Sequence, residues 1–522
     1  MENELTGPLA RRAGAPRLGP GPLCLLAAAL LISACGLVYE LVAGALASYL
    51  VGDTLTRFST VIGTYLFAMG AGAWLARYVR GDALARFVEI EIAAGVIGGF
   101  SAMLLFAAFA ANALFLPLLY LLVLAVGILV GAEIPLLLRL LRAHLEFEDL
   151  VSRVLSLDYI GALLASLIFP LWLVPALGLV RTGLAFGLLN MAVALATLWI
   201  FRHRLRSPGL WLAAGFSTVA LAAGFAGAER FSRSFEERLF RGEVVLAEQT
   251  PYQRVALMRQ GGSVRLYLNG RLQFASRDEY RYHEALVHPA LAALVSPRRA
   301  LLLGGGDGLA AREILRHPSI ESVTLVDIDE RVTAMFRDHA QLAALNGGAL
   351  ADPRVRIVNA DAWRWLEARA VNAPRFDAIV LDLPDPSSYA LGRIYSVPFF
   401  RLLGRHLAPE GLIVTQATSP VAAREAFWCI VATAQTAGLR ATPYHAFVPS
   451  FGEWGFVLAG AADTDYRPAQ RLPEGLRFLT AEVLQTLFVF SPDIGRIAVE
   501  PNRLDTQVLV SYYDRGWRRA RE

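Results

Sequence analysis

Apolar residues dominate the chain up to about residue 228, and charged residues are interspersed among them beyond that point. The first part contains seven apolar stretches that are long enough to cross the hydrocarbon core of a membrane. They run over residues 23–50, 58–76, 87–110, 113–138, 154–176, 179–201 and 210–227. Because further stretches follow the first one, we expect it to be a spanning helix rather than a signal peptide. The pattern predicts a flexible tail over 1–20 and an integral membrane domain over 21–228.

The pattern after residue 228 alternates over shorter distances. A charged stretch over 229–242 predicts a linking helix at the membrane surface, and alternation over 243–276 predicts a small β subdomain with a hairpin turn at Asn269-Gly270. Short apolar strands alternating with helical patterns predict a mostly parallel sheet with helices on both faces over 277–465. The expected fold class is an α-helical multi-pass membrane domain, a β subdomain and an α/β Rossmann-like domain, with a C-terminal extension over 466–522.

A glycine-rich turn, Gly304-Gly305-Gly306-Asp307-Gly308, separates an apolar strand from a helix. Strand, glycine turn and helix open the nucleotide-binding part of doubly wound folds, and Asp327 ends the next strand at the distance where a ribose is usually held. Asp307 is unusual in such a turn, because an acid there repels phosphate and suits a cationic ligand. The turn therefore predicts a nucleoside site for a positively charged molecule.

Carboxylates follow several strands of the predicted sheet. They are Asp307, Asp327, Asp361 with Ala362, and Asp382 with Asp385. Each acid taken singly could cap a helix, but together at one edge of a sheet they predict a shared anionic pocket. Tyr282 and His283 precede a helix that must pack near the glycine turn, so we expect them to line the same pocket. Divalent metals also suit clustered carboxylates, but no phosphate-binding residues accompany these acids, and we favour organic amines as ligands.

Composition narrows the possible chemistry. The chain contains no lysine, so its 49 basic residues are all arginine, which excludes a P-loop and a Schiff-base lysine. The net charge of +4 is spread without a dense basic tract, so we expect no nucleic-acid partner. Three cysteines and eight histidines without H-E-x-x-H spacing predict neither a disulfide framework nor a metal site.

The soluble half resembles the polyamine aminopropyltransferases, the spermidine synthase family, over roughly residues 243–462. The motifs that carry the resemblance are Thr250-Pro251-Tyr252-Gln253, Leu268-Asn269-Gly270-Arg271-Leu272-Gln273, Asp278-Glu279 with Tyr282-His283-Glu284, the glycine turn, and Asp382 to Pro386. The membrane half, with Leu37-Val38-Tyr39-Glu40, and the tail from Asn502 to Tyr513 are similar to the bacterial subgroup with a fused N-terminal integral-membrane domain.

The resemblance implies transfer of an aminopropyl group from decarboxylated S-adenosylmethionine to putrescine or a related amine, giving spermidine and 5′-methylthioadenosine. It implies that decarboxylated S-adenosylmethionine is a cosubstrate and that no cofactor is tightly bound. The thioadenosine part of the donor would contact Gln253, Gly304, Gly305, Gly306, Asp327, Asp361 and Ala362. Amine groups would contact Tyr282, His283, Asp307, Asp382 and Asp385, with Asp382 as the proton acceptor. Asp307 would also disfavour the carboxylate of intact S-adenosylmethionine.

Departures from the family pattern leave the acceptor open. They are Ser387-Ser388-Tyr389 after the two acids, Gln416-Ala417-Thr418-Ser419, and Val448-Pro449-Ser450-Phe451-Gly452. Since these segments lie on the acceptor side in the family, cadaverine, agmatine or spermidine could replace putrescine. Two other functions stay open, namely a polyamine transporter, exporter or sensor and an S-adenosylmethionine-dependent methyltransferase.

Charges in the membrane half bear on its role and orientation. Several acids lie within or beside the apolar stretches, and they are Glu40, Glu89, Glu91, Glu133 and Asp158. Intramembrane carboxylates are costly and often functional, so these could line a path for a cationic amine, although interfacial positions or pairing with arginine would account for them equally well. Arginine clusters fall on alternate loops, which places those loops in the cytoplasm. An odd number of spans would then put the soluble half outside, whereas its cosubstrate is cytosolic. We expect a multi-pass protein of the inner membrane, a cytoplasmic catalytic domain and a homodimer.

Overall fold

The computed structural model describes residues 19–51, 54–111, 114–240, 242–370, 372–461 and 472–520. Most of the predicted tail over 1–20 lies outside the described residues. The chain divides into two compact units, with the boundary between Phe235 and Glu236.

Long α-helices form the first unit. They are α1 (Pro20–Val51), α2 (Thr54–Leu75), α3 (Ala83–Ala110), α4 (Phe115–Leu141), α5 (Phe147–Ile168), α6 (Val174–Ile200) and α7 (Pro208–Phe240), which runs past the unit boundary. By length and composition, six helical segments of the described chain can cross a membrane, where the sequence predicts about seven. The difference is Phe147–Ile200, a continuous segment of 54 residues that contains α5, a π-helical turn and α6.

This long segment is interrupted at Gly178. Its backbone leaves the helical region there, with φ 71° and ψ 174°, because glycine tolerates a positive φ that other residues avoid. The interruption lies between the two stretches predicted over 154–176 and 179–201. A straight helix of 54 residues would be about 80 Å long, against about 30 Å for the hydrocarbon core. The segment is therefore long enough to cross twice.

The stretch predicted as a linking helix over 229–242 is helical as far as Phe240, but it is the end of α7 and not a helix of its own. The structure continues α7 without a break from Pro208 to Phe240. No glycine or proline occurs between Ala228 and Phe240, and Glu and Arg favour a helix about as well as Leu does. The change from apolar to charged residues therefore marks a change of surroundings along one helix and not the end of that helix.

The β subdomain begins the second unit. Its strands are β1 (Glu243–Gln249), β2 (Arg254–Gln260), β3 (Ser263–Leu268) and β4 (Arg271–Ala275), and they pair antiparallel in the order β1-β2-β3-β4. Asn269 and Gly270 connect β3 and β4 with φ values of 49° and 76°. Two positive φ values are what a tight hairpin turn requires, so the predicted turn is confirmed.

A seven-stranded sheet with helices on both faces forms the rest of the unit. Its elements are α8 (Glu279–Leu291), β5 (Arg299–Gly304), α9 (Leu309–Leu315), β6 (Ser322–Asp327), α10 (Glu330–Asp338), α11 (Ala340–Leu345), β7 (Val355–Asn359), α12 (Ala362–Ala368), β8 (Phe376–Asp382), α13 (Tyr389–Gly392), α14 (Val397–His406), β9 (Leu407–Gln416), α15 (Arg424–Thr436), β10 (Arg440–Val448), β11 (Gly452–Gly460), α16 (Ala481–Thr486) and α17 (Val508–Arg519). The predicted fold class is confirmed.

The strand order places the site. The sheet runs β10-β11-β9-β8-β5-β6-β7, and β11, which is antiparallel to both of its neighbours β9 and β10, is the one strand that runs against the others. The chain moves outwards from β5 to β7 on one side, then returns to β8 on the other, so the order reverses between β5 and β8. Ligands of such folds bind beyond the carboxyl ends of the strands at this reversal. Gly304 and Asp382 are register partners at those ends.

Both faces of the sheet are buried. In β5, Ala300 and Leu302 belong to one hydrophobic core, and Leu301 and Leu303 belong to the other. Strands buried on both sides have continuous rather than alternating apolar sequences. The C-terminal extension adds to both cores, through Leu484 of α16 on one side and Leu509 of α17 on the other, so it is part of the folded unit.

Candidate active site

The glycine turn lets β5 and β8 come together at their carboxyl ends. Gly304 has a φ of 77°, and a Cβ atom added there would lie 2.1 Å from the carbonyl oxygen of Asp382. Gly305 donates its backbone N–H to the same oxygen, at 3.0 Å. Gly306 donates to Oδ2 of Asp327, at 3.0 Å. Glycine at 304 is therefore required both by backbone conformation and by space.

We expect Gly304→Ala to lower the melting temperature of the full chain, because alanine there adds a clash with the Asp382 carbonyl to the cost of a positive φ. Backbone strain alone costs about 1–3 kcal/mol. Gly452→Ala is the matched control, since Gly452 has a φ of 79° with no atom within 4 Å of the added Cβ. Thermal unfolding followed by tryptophan fluorescence measures both variants. Equal losses would contradict the steric argument.

A cluster of polar side chains surrounds Asp382 at the end of β8. Tyr282 donates its hydroxyl to Oδ1 of Asp382 at 3.0 Å, and Nε2 of His283 lies 3.8 Å from Oδ2. Nδ1 of His283 lies 2.8 Å from Oε2 of Glu279, one turn back on α8. His283, Asp307 and Asp382 each offer one atom, and these three atoms lie within 4.8 Å of one another. The structure thus brings the predicted residues Tyr282, His283, Asp307 and Asp382 together.

Burial and mutual charge perturb the protonation of this cluster. Burial, reinforced by the charge of Asp382, raises the pKa of Asp307 to about 7, although the His283 cation opposes the rise. Burial also raises the pKa of Asp382, again opposed by His283. Burial alone would lower the pKa of His283, but Glu279, Asp382 and Asp307 together raise it to about 9. At neutral pH, His283 is therefore a cation, and Asp307 is close to the midpoint of its protonation.

These shifts predict the pH dependence of the rate. The resemblance assigns the amine of the donor to Asp307, so the kcat/KM for the donor should fall as the pH drops through about 7 and this carboxylate becomes neutral. His283→Gln should move this acidic limb to higher pH, because the His283 cation lowers the pKa of Asp307 and of Asp382. Profiles of kcat/KM against pH measure the shift. His445→Gln is a control, since His445 pairs instead with Glu453. An unchanged limb, or one moved to lower pH, would contradict this electrostatic account.

Asp385 follows Asp382 on the same loop, and a residue of the C-terminal extension hydrogen-bonds to it. Tyr513 of α17 donates its hydroxyl to Oδ2 of Asp385 at 3.0 Å and accepts a hydrogen bond from Arg271 at 2.6 Å. Burial raises the pKa of Asp385 to about 6, and the Tyr513 hydroxyl limits the rise. The other oxygen, Oδ1, is buried and has no hydrogen-bond partner among the described residues. It is an acceptor in need of a donor.

Tyr513→Phe should raise the KM for the acceptor amine about tenfold or more while changing kcat little, because a hydrogen bond to a charged group is worth about 1.5–3 kcal/mol. Steady-state rates at saturating donor separate the two parameters. Tyr512→Phe, on the neighbouring position of α17, is the matched control, since the Tyr512 ring contacts Arg515 instead. A change in kcat with an unaltered KM would contradict the prediction that Tyr513 supports amine binding through Asp385.

The remaining predicted residues lie around the ends of β6 and β7. Asp327 accepts the backbone N–H of Gly306 through Oδ2 and that of Asp329 through Oδ1. Gln253 of the β subdomain donates its amide to Asp329, at 2.9 Å. Asp361 caps α12, where Ala362 begins the helix, and its other carboxylate oxygen pairs with Arg393. The capping interpretation thus holds for Asp361, and the structure shows no direct contact between Asp361 and the Asp382 cluster.

Sequence reasoning missed several residues that shape the site. Tyr395 is fully buried and donates its hydroxyl to the carbonyls of Leu383 and Pro384, which fixes the loop between the two acids. Glu279 holds His283, and Arg312 in turn pairs with Glu279 at 2.9 Å. The contact between Glu279 and His283 could have been predicted from their spacing, because residues four apart on a helix have their side chains on one face.

Comparison with known proteins identifies the family. Residues 279–467 match the spermine/spermidine synthase domain. The chain is 53% identical to polyamine aminopropyltransferase 2 of Ralstonia nicotianae over 506 residues. This match covers 95% of this chain and 98% of the relative. It is 49% identical over 493 residues to the polyamine aminopropyltransferase of Leptospira interrogans, with 94% and 98% covered. The chain belongs to the polyamine aminopropyltransferase family.

Membership of this family makes the chain an enzyme and confirms the resemblance that the motifs indicated. The matches to the two relatives run over nearly the whole length of this chain, so they include the first, helical unit as well as the unit that holds the sheet. Spermidine synthase in complex with the transition state analogue AdoDATO superposes with a TM-score of 0.44 and 24% identity, covering 48% of this chain and 85% of that chain.

Proposed function

We propose that this chain transfers an aminopropyl group from decarboxylated S-adenosylmethionine to putrescine or a related amine, releasing spermidine and 5′-methylthioadenosine. The observation that carries the proposal is the placement of Asp382. Its carboxylate stands at the reversal between β5 and β8, is oriented by Tyr282, and is flanked by Asp307 and His283. The names of the two relatives support the reaction type.

The proposed step needs alignment and a base. The sulfonium of the donor already activates the neighbouring carbon, so no covalent nucleophile is required. The acceptor nitrogen attacks the aminopropyl carbon in line with the carbon–sulfur bond, and the bonding pair leaves with sulfur to give a neutral thioether. The new ammonium loses a proton to Asp382. Because burial raises the pKa of Asp382, this carboxylate is a stronger base than an exposed aspartate.

The donor would be held by the edge of the sheet next to this base. Each carboxylate oxygen of Asp327 accepts one backbone N–H and keeps a further lone pair, so Asp327 can accept both ribose hydroxyls. Gly304, Gly305 and Gly306 let the backbone approach the nucleoside closely. We assign Gln253, Asp361 and Ala362 to the thioadenosine part on the basis of the family motifs.

The donor and the acceptor would each be bound through a positively charged amine group. Asp307 would bind the amine of the donor. Oδ1 of Asp385, which has no hydrogen-bond partner among the described residues, would accept a hydrogen bond from an ammonium of the acceptor. The competing ligand for His283, Asp307 and Asp382 is a divalent metal, since three donor atoms lie within 4.8 Å. We assign the acids to ammonium groups because attack on a sulfonium-activated carbon requires no Lewis acid.

Release of methylthioadenosine with a panel of amines tests the proposal. We expect the highest kcat/KM with putrescine, measured against cadaverine, agmatine and spermidine at fixed donor concentration. Turnover of another amine as the best substrate would reassign the acceptor and keep the reaction. Measurable donor binding with no release for any amine would overturn the reaction and favour sensing or transport by the same chain.

We also propose that the first unit crosses the inner membrane and that the catalytic unit lies on the cytoplasmic side, where the donor is made. Six apolar helical segments support the spanning. The opposite orientation follows if Phe147–Ile200 crosses twice, because the arginine-rich loops then stay inside. Arg204 lies 3.4 Å from Asp82, so these two loops share one end of the helices, which favours the double crossing. The cytoplasmic placement rests instead on the cytosolic donor. Digestion of the catalytic unit by protease in inverted vesicles, and not in spheroplasts, is the expected result. The reverse pattern would overturn it.

A further inference from the structure

Two fully buried carboxylates lie inside the membrane unit and have no hydrogen-bond partner in the described part of the chain. Glu91 of α3 and Glu133 of α4 have no exposed surface, and none of their four oxygens has a hydrogen-bond partner among the described residues. Their charges are close enough to interact with each other. Unpaired acids in such surroundings are costly and are retained where they have a ligand or a role.

Two further buried polar groups lie in the same place and also lack partners among the residues that the structure describes. They are the hydroxyl of Tyr39 on α1 and Oδ1 of Asn190 on α6, in side chains that are 3% and 1% exposed. The Tyr39 hydroxyl is near enough to interact with both Glu91 and Glu133. Buried polar groups are almost always hydrogen-bonded, so four such side chains without partners in one place indicate that a ligand completes the site.

Small residues on α3 let these side chains reach Glu91. Glu91, Gly95 and Gly98 are spaced by one and two helical turns and so share a face of α3. A Cβ atom added at Gly95 would lie 2.9 Å from Cβ of Asn190, and one added at Gly98 would lie 2.7 Å from the Tyr39 ring. Asn190 and Tyr39 therefore lie directly against the backbone of α3 on the side of Glu91.

Helices α2 and α4 pack against α1 at Gly36, one turn before Tyr39. Val130, one turn before Glu133 on α4, would touch a Cβ added at Gly36 of α1 at 2.8 Å. Tyr65 of α2 donates its hydroxyl to the carbonyl of Gly36, at 2.9 Å. Five helices thus converge on the two acids, where five carboxylate and amide oxygens and one hydroxyl have no hydrogen-bond partner among the described residues.

We infer that Glu91, Glu133, Tyr39 and Asn190 form a second amine-binding site, within the membrane unit, that takes the ammonium end of an amine. An ammonium group carries three donors and one positive charge, which matches a pair of carboxylates and an amide oxygen. The Tyr39 ring adds a surface that attracts cations. The choice of an organic amine over an inorganic cation rests on the proposed function, because amines are the cations that the catalytic unit handles.

Binding of radiolabelled putrescine to the full chain in lipid nanodiscs tests the inference, without donor present. The wild type should bind one more amine per chain than the Glu91→Gln and Glu133→Gln double variant, while aminopropyl transfer stays within about twofold of the wild type. Glu89→Gln is the matched control, because Glu89 lies on the same helix but is 43% exposed and paired with Arg86. It should bind as the wild type does. Since binding and turnover are measured separately, an absence of turnover leaves this test intact.

The outcomes distinguish an amine site from an inorganic cation site and from no site. Equal putrescine binding by the wild type and the double variant would overturn the inference, as would complete displacement of the extra amine by sodium at matched ionic strength. If the double variant does not fold, Tyr39→Phe replaces it, since the change removes only the hydroxyl that lacks a partner among the described residues. At least about tenfold weaker binding at the second site would then support the inference, and unchanged affinity would overturn it.

Discussion

Asp382→Asn is expected to lower kcat by about 10²–10⁴-fold, the usual contribution of a positioned general base. The amide cannot accept the proton that the attacking amine must lose, but it keeps the shape of the carboxylate and the hydrogen bond from Tyr282. Donor binding should change little, because we assign the nucleoside contacts to the ends of β5 and β6. Initial rates of methylthioadenosine release and calorimetric donor binding measure the two effects.

The matched control for this variant lies at the other end of the same strand. Asp377 of β8 accepts the backbone N–H groups of Arg298 and Arg299, each at 2.8 Å, and takes no part in the site. Asp377→Asn should affect stability and leave kcat near that of the wild type. If Asp382→Asn keeps most of the activity while Asp377→Asn loses it, Asp382 is not the base.

Asp307→Asn is expected to lower the kcat/KM for the donor by about 30-fold or more, since removing one member of a buried charge pair costs about 2–5 kcal/mol. The discrimination between donors should fall as well. Asp307 would repel the carboxylate of intact S-adenosylmethionine and attract the amine of the decarboxylated form, so its neutralisation removes both effects.

Two numbers measure this change, the KM for decarboxylated S-adenosylmethionine and the inhibition constant of the intact form. The first should rise and the second should fall in Asp307→Asn. Asp352→Asn serves as a control, because Asp352 pairs with Arg354 away from the glycine turn. An unchanged ratio of the two constants would remove Asp307 from donor selection.

Most of the catalytic unit was predictable from the sequence because its signals are local. Four apolar residues before a glycine turn identify β5, and acids directly after strands must meet at one edge of a parallel sheet. The cluster of Asp307, Asp382 and His283 follows from that geometry. The hairpin at Asn269-Gly270 was predictable for the same reason, since two positive φ values favour those residues.

Other features depend on contacts that no local pattern records. Tyr513 reaches Asp385 across 128 positions of sequence, and nothing around α17 indicates that this helix returns to the site. The stretch over 229–242 could not be recognised as the end of α7, because polarity changes along this helix while helix propensity does not. Packing among five helices also decides that Glu91 and Glu133 have no partners among the described residues. The positions of the acids in the sequence do not show this packing.

Mass spectrometry of the products of the purified full chain, supplied with decarboxylated S-adenosylmethionine and putrescine, tests the central claim most directly. We predict spermidine and methylthioadenosine in equal amounts, with almost none from Asp382→Asn under the same conditions. Formation of a methylated amine from intact S-adenosylmethionine, with no spermidine from the decarboxylated donor, would contradict aminopropyl transfer and the roles assigned to Asp307 and Asp382.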